Sequence, residues 1–166
     1  MNTTQNSKVL TKHVDYFKGV YPIDLLPSTL IKASIIVINL DKLYMPGSHW
    51  VSLCFSDSGY VEYFDSYDLP PNKLEIISYL QNRSISWTFN RHRLQGLTSK
   101  VCVNFCCLYA LHRARGLSMT SFTSMFTPGY HRCNDIRAVN MFRAQFGECP
   151  AYSRLEHQQQ SCKSQV

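Results

Sequence analysis

Apolar residues in this chain come first in short β-branched or alternating runs and later in runs with helical spacing, so strands should lead and helices follow. Residues 30–40 end in Ile35-Ile36-Val37-Ile38 and read as a buried strand, with space for a short helix ahead of it. Met45-Pro46-Gly47-Ser48 breaks the chain before His49, and residues 50–55 alternate as a half-buried strand does. Asp57-Ser58-Gly59 is a hairpin signal that pairs residues 60–64 back, delivering His49 and Asp65 to one end of the hairpin. Pro70-Pro71 opens a helical pattern in which Leu74, Ile77 and Leu80 share a face, and residues 84–89 suit a short strand. Residues 90–100 are basic and turn-prone. A second helix is expected over 101–113, with Gly116 beyond its end, and a last one over 135–146, capped by Asn134 and stopped by Gly147 and Pro150. Residues 16–27 mix aromatics with Gly19, Pro22 and Pro27 as a loop does, and the Met and Phe residues of 119–126 suit core or loop packing.

Composition narrows the class. A length of 166 residues with 45% apolar content suits one domain over residues 1–150, followed by a disordered Gln- and Ser-rich tail over 151–166. No apolar run approaches the roughly 18 residues of a membrane span, and the polar N-terminus lacks a secretion signal, so a soluble intracellular protein is expected. Seven cysteines, an odd number at irregular spacing, argue for reduced thiols over a disulfide framework. His131 and Cys133 have no second pair at ligand spacing, so no metal site is expected. A net charge of +6, from 17 Lys and Arg against 11 Asp and Glu, favours an acidic partner such as nucleic acid.

The chemistry lies in four residues. A thiol acts as a nucleophile only as thiolate, which an imidazolium or a helix N-terminus supports, and Cys102 falls at the start of the 101–113 helix. His49 is the candidate base and Asp65, sixteen residues on, the candidate carboxylate that holds it in one tautomer. Acyl transfer also needs oxyanion donors; the Cys102 backbone N–H is one candidate and Gln95, seven residues upstream, another. Singly, each has an ordinary reading. His49 could be a packed strand residue, Asp65 a turn residue, Gln95 a loop amide, and Cys102, like Cys106 and Cys107, a buried small hydrophobe. Their joint order and spacing carries the argument.

Gly47-Ser48-His49-Trp50, Tyr63-Phe64-Asp65, Leu94-Gln95-Gly96 and Val101-Cys102-Val103-Asn104-Phe105-Cys106-Cys107 together resemble the adenovirus maturation protease family, adenain. Tyr16-Phe17-Lys18-Gly19-Val20-Tyr21 is similar to that family's early Tyr-Phe-x-Gly segment, so the resemblance runs over about residues 16–115. It implies an α/β (α+β) papain-like cysteine peptidase of the adenain and SUMO-protease clan, a small mixed sheet flanked by helices. It further implies a cysteine endopeptidase with Cys102 as nucleophile, His49 as base and acid, Asp65 orienting it and Gln95 in the oxyanion hole. The cleft would be narrow, around Gly47, Trp50 and Gly96, and would prefer Gly-Gly or Gly-x sites. Implied substrates are viral or virus-like capsid and core precursors, in adenoviruses or in Maverick (Polinton) transposons, within the host nucleus or virion.

The chemistry implied needs no cofactor. DNA is implied as a non-covalent activator, on Arg83, Arg91, Arg93, Lys100, Arg113 and Arg115, acting on a monomer. An activating peptide is implied as well, but Ser84 stands where the family's peptide-linking Cys would be, leaving only Cys133, Cys149 or Cys162 for such a link. Two more positions depart from the family. Val103 replaces the usual Gly after the nucleophile, and Asp65 replaces Glu, as in the SUMO-protease branch. A protease of ubiquitin-like modifiers and an inactive DNA-binding scaffold are the competing readings.

Overall fold

The computed structural model describes residues 3–29 and 33–147. The expected disordered tail, Cys149, Cys162 and most of the expected short helix ahead of residue 34 lie outside them. The chain runs α1 (Thr3–His13), β1 (Phe17–Pro22), a 3-10 turn (Ile23–Leu25), β2 (Ser34–Asn39), β3 (Trp50–Phe55), β4 (Tyr60–Phe64), α2 (Leu74–Arg83), β5 (Ser86–Phe89), α3 (Cys102–Ala114), α4 (Met119–Thr123) and α5 (His131–Phe146). The five strands form one sheet in sequence order. β2, β3 and β4 are antiparallel, and β1 and β5 join the edges in parallel.

Side chains alternate across this sheet, and both faces are covered. Ile35, Val37, Trp50, Cys54 and Phe64 pack with the core of α1, α3, α4 and α5 on one face. Ile36, Ile38, Val51, Leu53, Val61 and Tyr63 meet Ile76 and Leu80 of α2 on the other. The two covering layers explain why β3, expected to be half-buried, is buried at every position. They also explain α3. Its residues Cys102 to Leu111 are all buried because the sheet, α1, α4 and α5 surround it.

Several boundaries differ from expectation. The 16–27 segment is a strand and a turn, because β1 finds its partner in β2. Gly19 allows this: at φ +147 it sits where the register shifts, and a Cβ would meet the Tyr21 ring at 2.9 Å. α2 starts at Leu74 rather than in the Pro70-Pro71 turn, and it buries Ile76 and Leu80 while Leu74 is 78% exposed. α5 starts at His131, four residues before the expected position, so Asn134 is no cap. Its side chain instead bonds the Thr127 backbone and the Leu94 carbonyl. α4 is a short helix capped by Ser118, which presents Phe122 to the core. No described helix is long and apolar enough to cross a membrane.

The aromatic junction between sheet and helices is formed by Phe64, stacked on Tyr109 at 4.3 Å and edge-on to Phe122 at 5.4 Å. Phe64→Ala should destabilise the fold by about 3–5 kcal/mol in urea unfolding. A loss below about 1 kcal/mol would show that the junction collapses without cost.

Candidate active site

The β3–β4 hairpin sets two of the site residues by its register. Ser52 pairs with Phe64. Continued past the strand ends, that register sets His49 opposite Tyr67, and their rings lie 4.9 Å apart. His49 is anchored by its carbonyl, which accepts from Leu40 N–H at 2.9 Å, and the preceding loop is tied by Ser48 N–H donating to Asp41 at 2.6 Å. Asp65 immediately follows β4 and is 1% exposed. Its Oδ2 lies 2.9 Å from His49 Nε2 and its Oδ1 accepts from Tyr67 N–H at 2.7 Å. Asn90, just beyond β5, clamps the Asp65 backbone from both sides. It accepts the Asp65 N–H at 2.9 Å and donates to its carbonyl at 2.7 Å.

A carboxylate only accepts, so His49 Nε2 carries a proton and Nδ1 is left to face other chemistry. Nδ1 has no fully formed hydrogen bond, and the Cys102 thiol is close enough to act on the ring; such contacts often tighten only on substrate binding. Cys102 opens α3, where unpaired N–H groups favour negative charge. Burial is the largest single influence on His49 and disfavours its cation. Hydrogen bonds to Asp65 and Cys102, with the charges of both, together outweigh it and push the ring up to about 9. The arrangement can hold a thiolate against an imidazolium.

Gln95, the expected second oxyanion donor, is held by internal hydrogen bonds. It is 0% exposed, and its Oε1 accepts from Ser66 Oγ at 2.6 Å. Its Nε2 donates to Ser99 O at 3.0 Å, Ser99 Oγ at 2.9 Å and Tyr67 Oη at 3.1 Å. Since Ser99 O can only accept, the amide orientation is fixed. The cleft residues are also more structural than expected. Trp50 is 7% exposed with its ring in the core, Gly47 holds φ +85 against Asn39, and Gly96 lies against Asp135. Val103, where the family usually has Gly, packs into the core. Cys106 and Cys107 are fully buried, as small hydrophobes would be.

The basic residues do not form one patch. α3 has 13 residues, about 20 Å of helix, which separates Lys100 from Arg113 and Arg115. Arg113 is paired with Glu62 at 2.6 Å and bonds the Leu117 carbonyl, and Arg115 bonds Gln145. Arg83 ends α2, and Arg91 stacks over Phe89. Arg91 and Arg93 line a cavity of about 560 Å³ with His92 and His131, which neither His49 nor Cys102 lines. Ser84 is committed to the C-terminus of α2, its Oγ on Leu80 O at 2.7 Å. Cys133 is disulfide-bonded, while Cys54, Cys102, Cys106 and Cys107 are free. Among the described residues no group of His, Cys, Asp or Glu is arranged to hold a metal ion. Asn90, Tyr67, Ser66, Ser99 and Asp135 were not singled out in the sequence. Only the spatial meeting of distant segments identifies them.

The chain shares its mixed α/β fold with a solved protease structure. It superposes on the ASFV pS273R protease with a TM-score of 0.51 at 19% identity over 69% of this chain, and it spans 44% of that protein's length. AvrA gives a TM-score of 0.49 at 13% identity, over 82% of this chain and 53% of AvrA. The SUMO protease Ulp1 gives 0.47 at 14% identity, over 86% of this chain and 76% of that one. No family model and no curated protein matches the sequence.

The raised His49 has a thermodynamic consequence. Its folded value lies above the ordinary 6.5, so protonation adds stability that is complete below about pH 6.5 and is lost as pH rises through about 9. Urea unfolding across that window should show a fall in wild type that His49→Asn lacks. Parallel profiles in the two proteins would mean the ring gains no partner on folding.

Proposed function

We propose that this chain is a cysteine endopeptidase in which Cys102 is the nucleophile, His49 the base and acid, and Asp65 the group that orients His49. The observation that carries this reading is the His49 ring held on Asp65 at Nε2, with the Cys102 thiol at the start of α3 close enough to act on the ring. His49 takes the thiol proton at Nδ1. The Cys102 sulfur then adds to a peptide carbonyl carbon, and the carbonyl electron pair moves to oxygen. The Cys102 N–H is one donor for that oxyanion. Gln95 is the second, once the oxyanion competes with Ser99 and Tyr67 for its Nε2. Collapse expels the amine, which takes its proton from His49, and leaves a thioester. Water, deprotonated by His49, hydrolyses it.

The substrates we assign are viral or virus-like capsid and core precursors cut at Gly-Gly or Gly-x, a reading supported by the adenain-like motifs. The ASFV protein that shares the fold is a protease. DNA is the activator we assign to the Arg91, Arg93 and Lys100 side of the molecule.

The purified chain should cleave a Gly-Gly peptide, and Cys102→Ala should abolish cleavage. Asp65→Asn should lower kcat by up to about 10⁴-fold with little change in KM, because the amide permits the wrong tautomer. Wild-type kcat should fall as pH rises through about 9, where His49 loses the proton that the leaving amine needs. Undiminished cleavage by Cys102→Ala would remove the nucleophile assignment.

A further inference from the structure

One carboxylate ties the Gln95 loop to α5. Asp135, 5% exposed in the second turn of α5, accepts the Gly96 N–H on both oxygens, at 3.3 and 3.2 Å. Gly96 permits that approach, since a Cβ there would lie 2.9 Å from Oδ2. The Ser99 hydroxyl reaches the same carboxylate. Ser99 passes the contact on: its carbonyl accepts from Gln95 Nε2 at 3.0 Å and Tyr67 Oη–H at 3.1 Å. Tyr67 then lies against the His49 ring and donates its N–H to Asp65. The contacts are continuous from α5 to the base.

We infer that Asp135 is a positioning residue for acyl transfer, holding Gly96 and Ser99 so that the Gln95 amide and the Tyr67 ring are set beside His49 and Cys102. This deepens the peptidase reading and rests on it. Ionised, Asp135 only accepts, and it can take the Gly96 N–H and compete for the single Ser99 proton. Protonated, it becomes a donor and that double grip is lost.

The groups facing it are few. His131 lies one turn earlier on α5, with its Cβ 3.9 Å from a Cβ placed on Gly96. Arg93, from the segment ahead of Gln95, reaches only as far as His131, donating to its Nε2 at 3.1 Å. Tyr67 faces Asp135 from the segment after β4. None of these sets a cation against the carboxylate. Burial accordingly pushes Asp135 up, the Ser99 and Gly96 hydrogen bonds offset part of that, and it titrates at about 6. The sign follows: activity falls as pH drops through about 6, a limb separate from that of His49. A raised carboxyl favours the folded state only while protonated. Ionised Asp135 therefore costs stability at neutral pH, and function opposes folding at this position.

The test compares wild type with Asp135→Asn. The backbone amide resonance of Gly96 and the side-chain amide of Gln95, followed by NMR, should titrate in wild type with a midpoint near 6 and stay flat in the variant. At about pH 8 the variant should melt no lower than wild type yet cleave a Gly-Gly peptide about tenfold more slowly in kcat, as a misplaced oxyanion donor would, without the acid limb. Gly96 shifts that titrate equally in both proteins, or wild-type kcat in the variant, would overturn the positioning role. Asp135-dependent shifts in a wild type that cleaves no peptide would support the loop clamp and overturn the peptidase reading.

Discussion

Asp65 is a carboxylate removed from water, and the site is built around the cost of removing it. A buried ion costs several kcal/mol unless its charge is answered. Here the answer comes from two segments, His49 from the loop before β3 and Tyr67 N–H from the turn after β4, while Asn90 from the end of β5 holds the Asp65 backbone in place. The neighbouring order of β3, β4 and β5 is therefore a functional requirement as well as a packing solution. α3 lies against β3 and β2 on one face of that sheet and brings the Cys102 thiol to the same end.

Local polar networks then divide the work. Asn90 and Tyr67 hold Asp65, Asp65 holds His49, and Ser66, Tyr67 and Ser99 hold Gln95. Every link is a short side-chain contact to a backbone or to another side chain, so few rotamers remain free at the site. Such preorganisation lowers the reorganisation a charged transition state demands. It also explains why the Gln95 amide is spent internally before a substrate arrives: a buried amide left unpaired would cost about 1–3 kcal/mol.

What could be read from the sequence was local. The hairpin with His49 and Asp65 at one end needed only an alternating pattern and the Asp57-Ser58-Gly59 turn, and it is present as expected. α3 was placed to within a residue from its apolar run and Gly116, which put Cys102 at a helix start. What stayed hidden depends on partners far along the chain. β1 looks like a loop until β2 pairs with it. The start of α5 was misplaced because Asn134, a good capping residue, is used for a tertiary contact with Leu94. Asn90, Tyr67 and Asp135 acquire meaning only when segments 25 to 39 residues apart meet, as in the contacts of Asp65 with Asn90 and of Gly96 with Asp135. The basic residues divide for the opposite reason. They are near in sequence, but a buried helix holds their two halves apart.

The central claim is that His49, held by Asp65, activates Cys102, and thiol reactivity tests it without assuming a substrate. Iodoacetamide at about pH 6, where an ordinary thiol near 8.5 is almost wholly protonated, should alkylate Cys102 selectively over the buried Cys54, Cys106 and Cys107. Mass spectrometry should show that His49→Ala slows this alkylation at least about tenfold, with the fold intact by circular dichroism. Equal rates in wild type and His49→Ala would contradict the account.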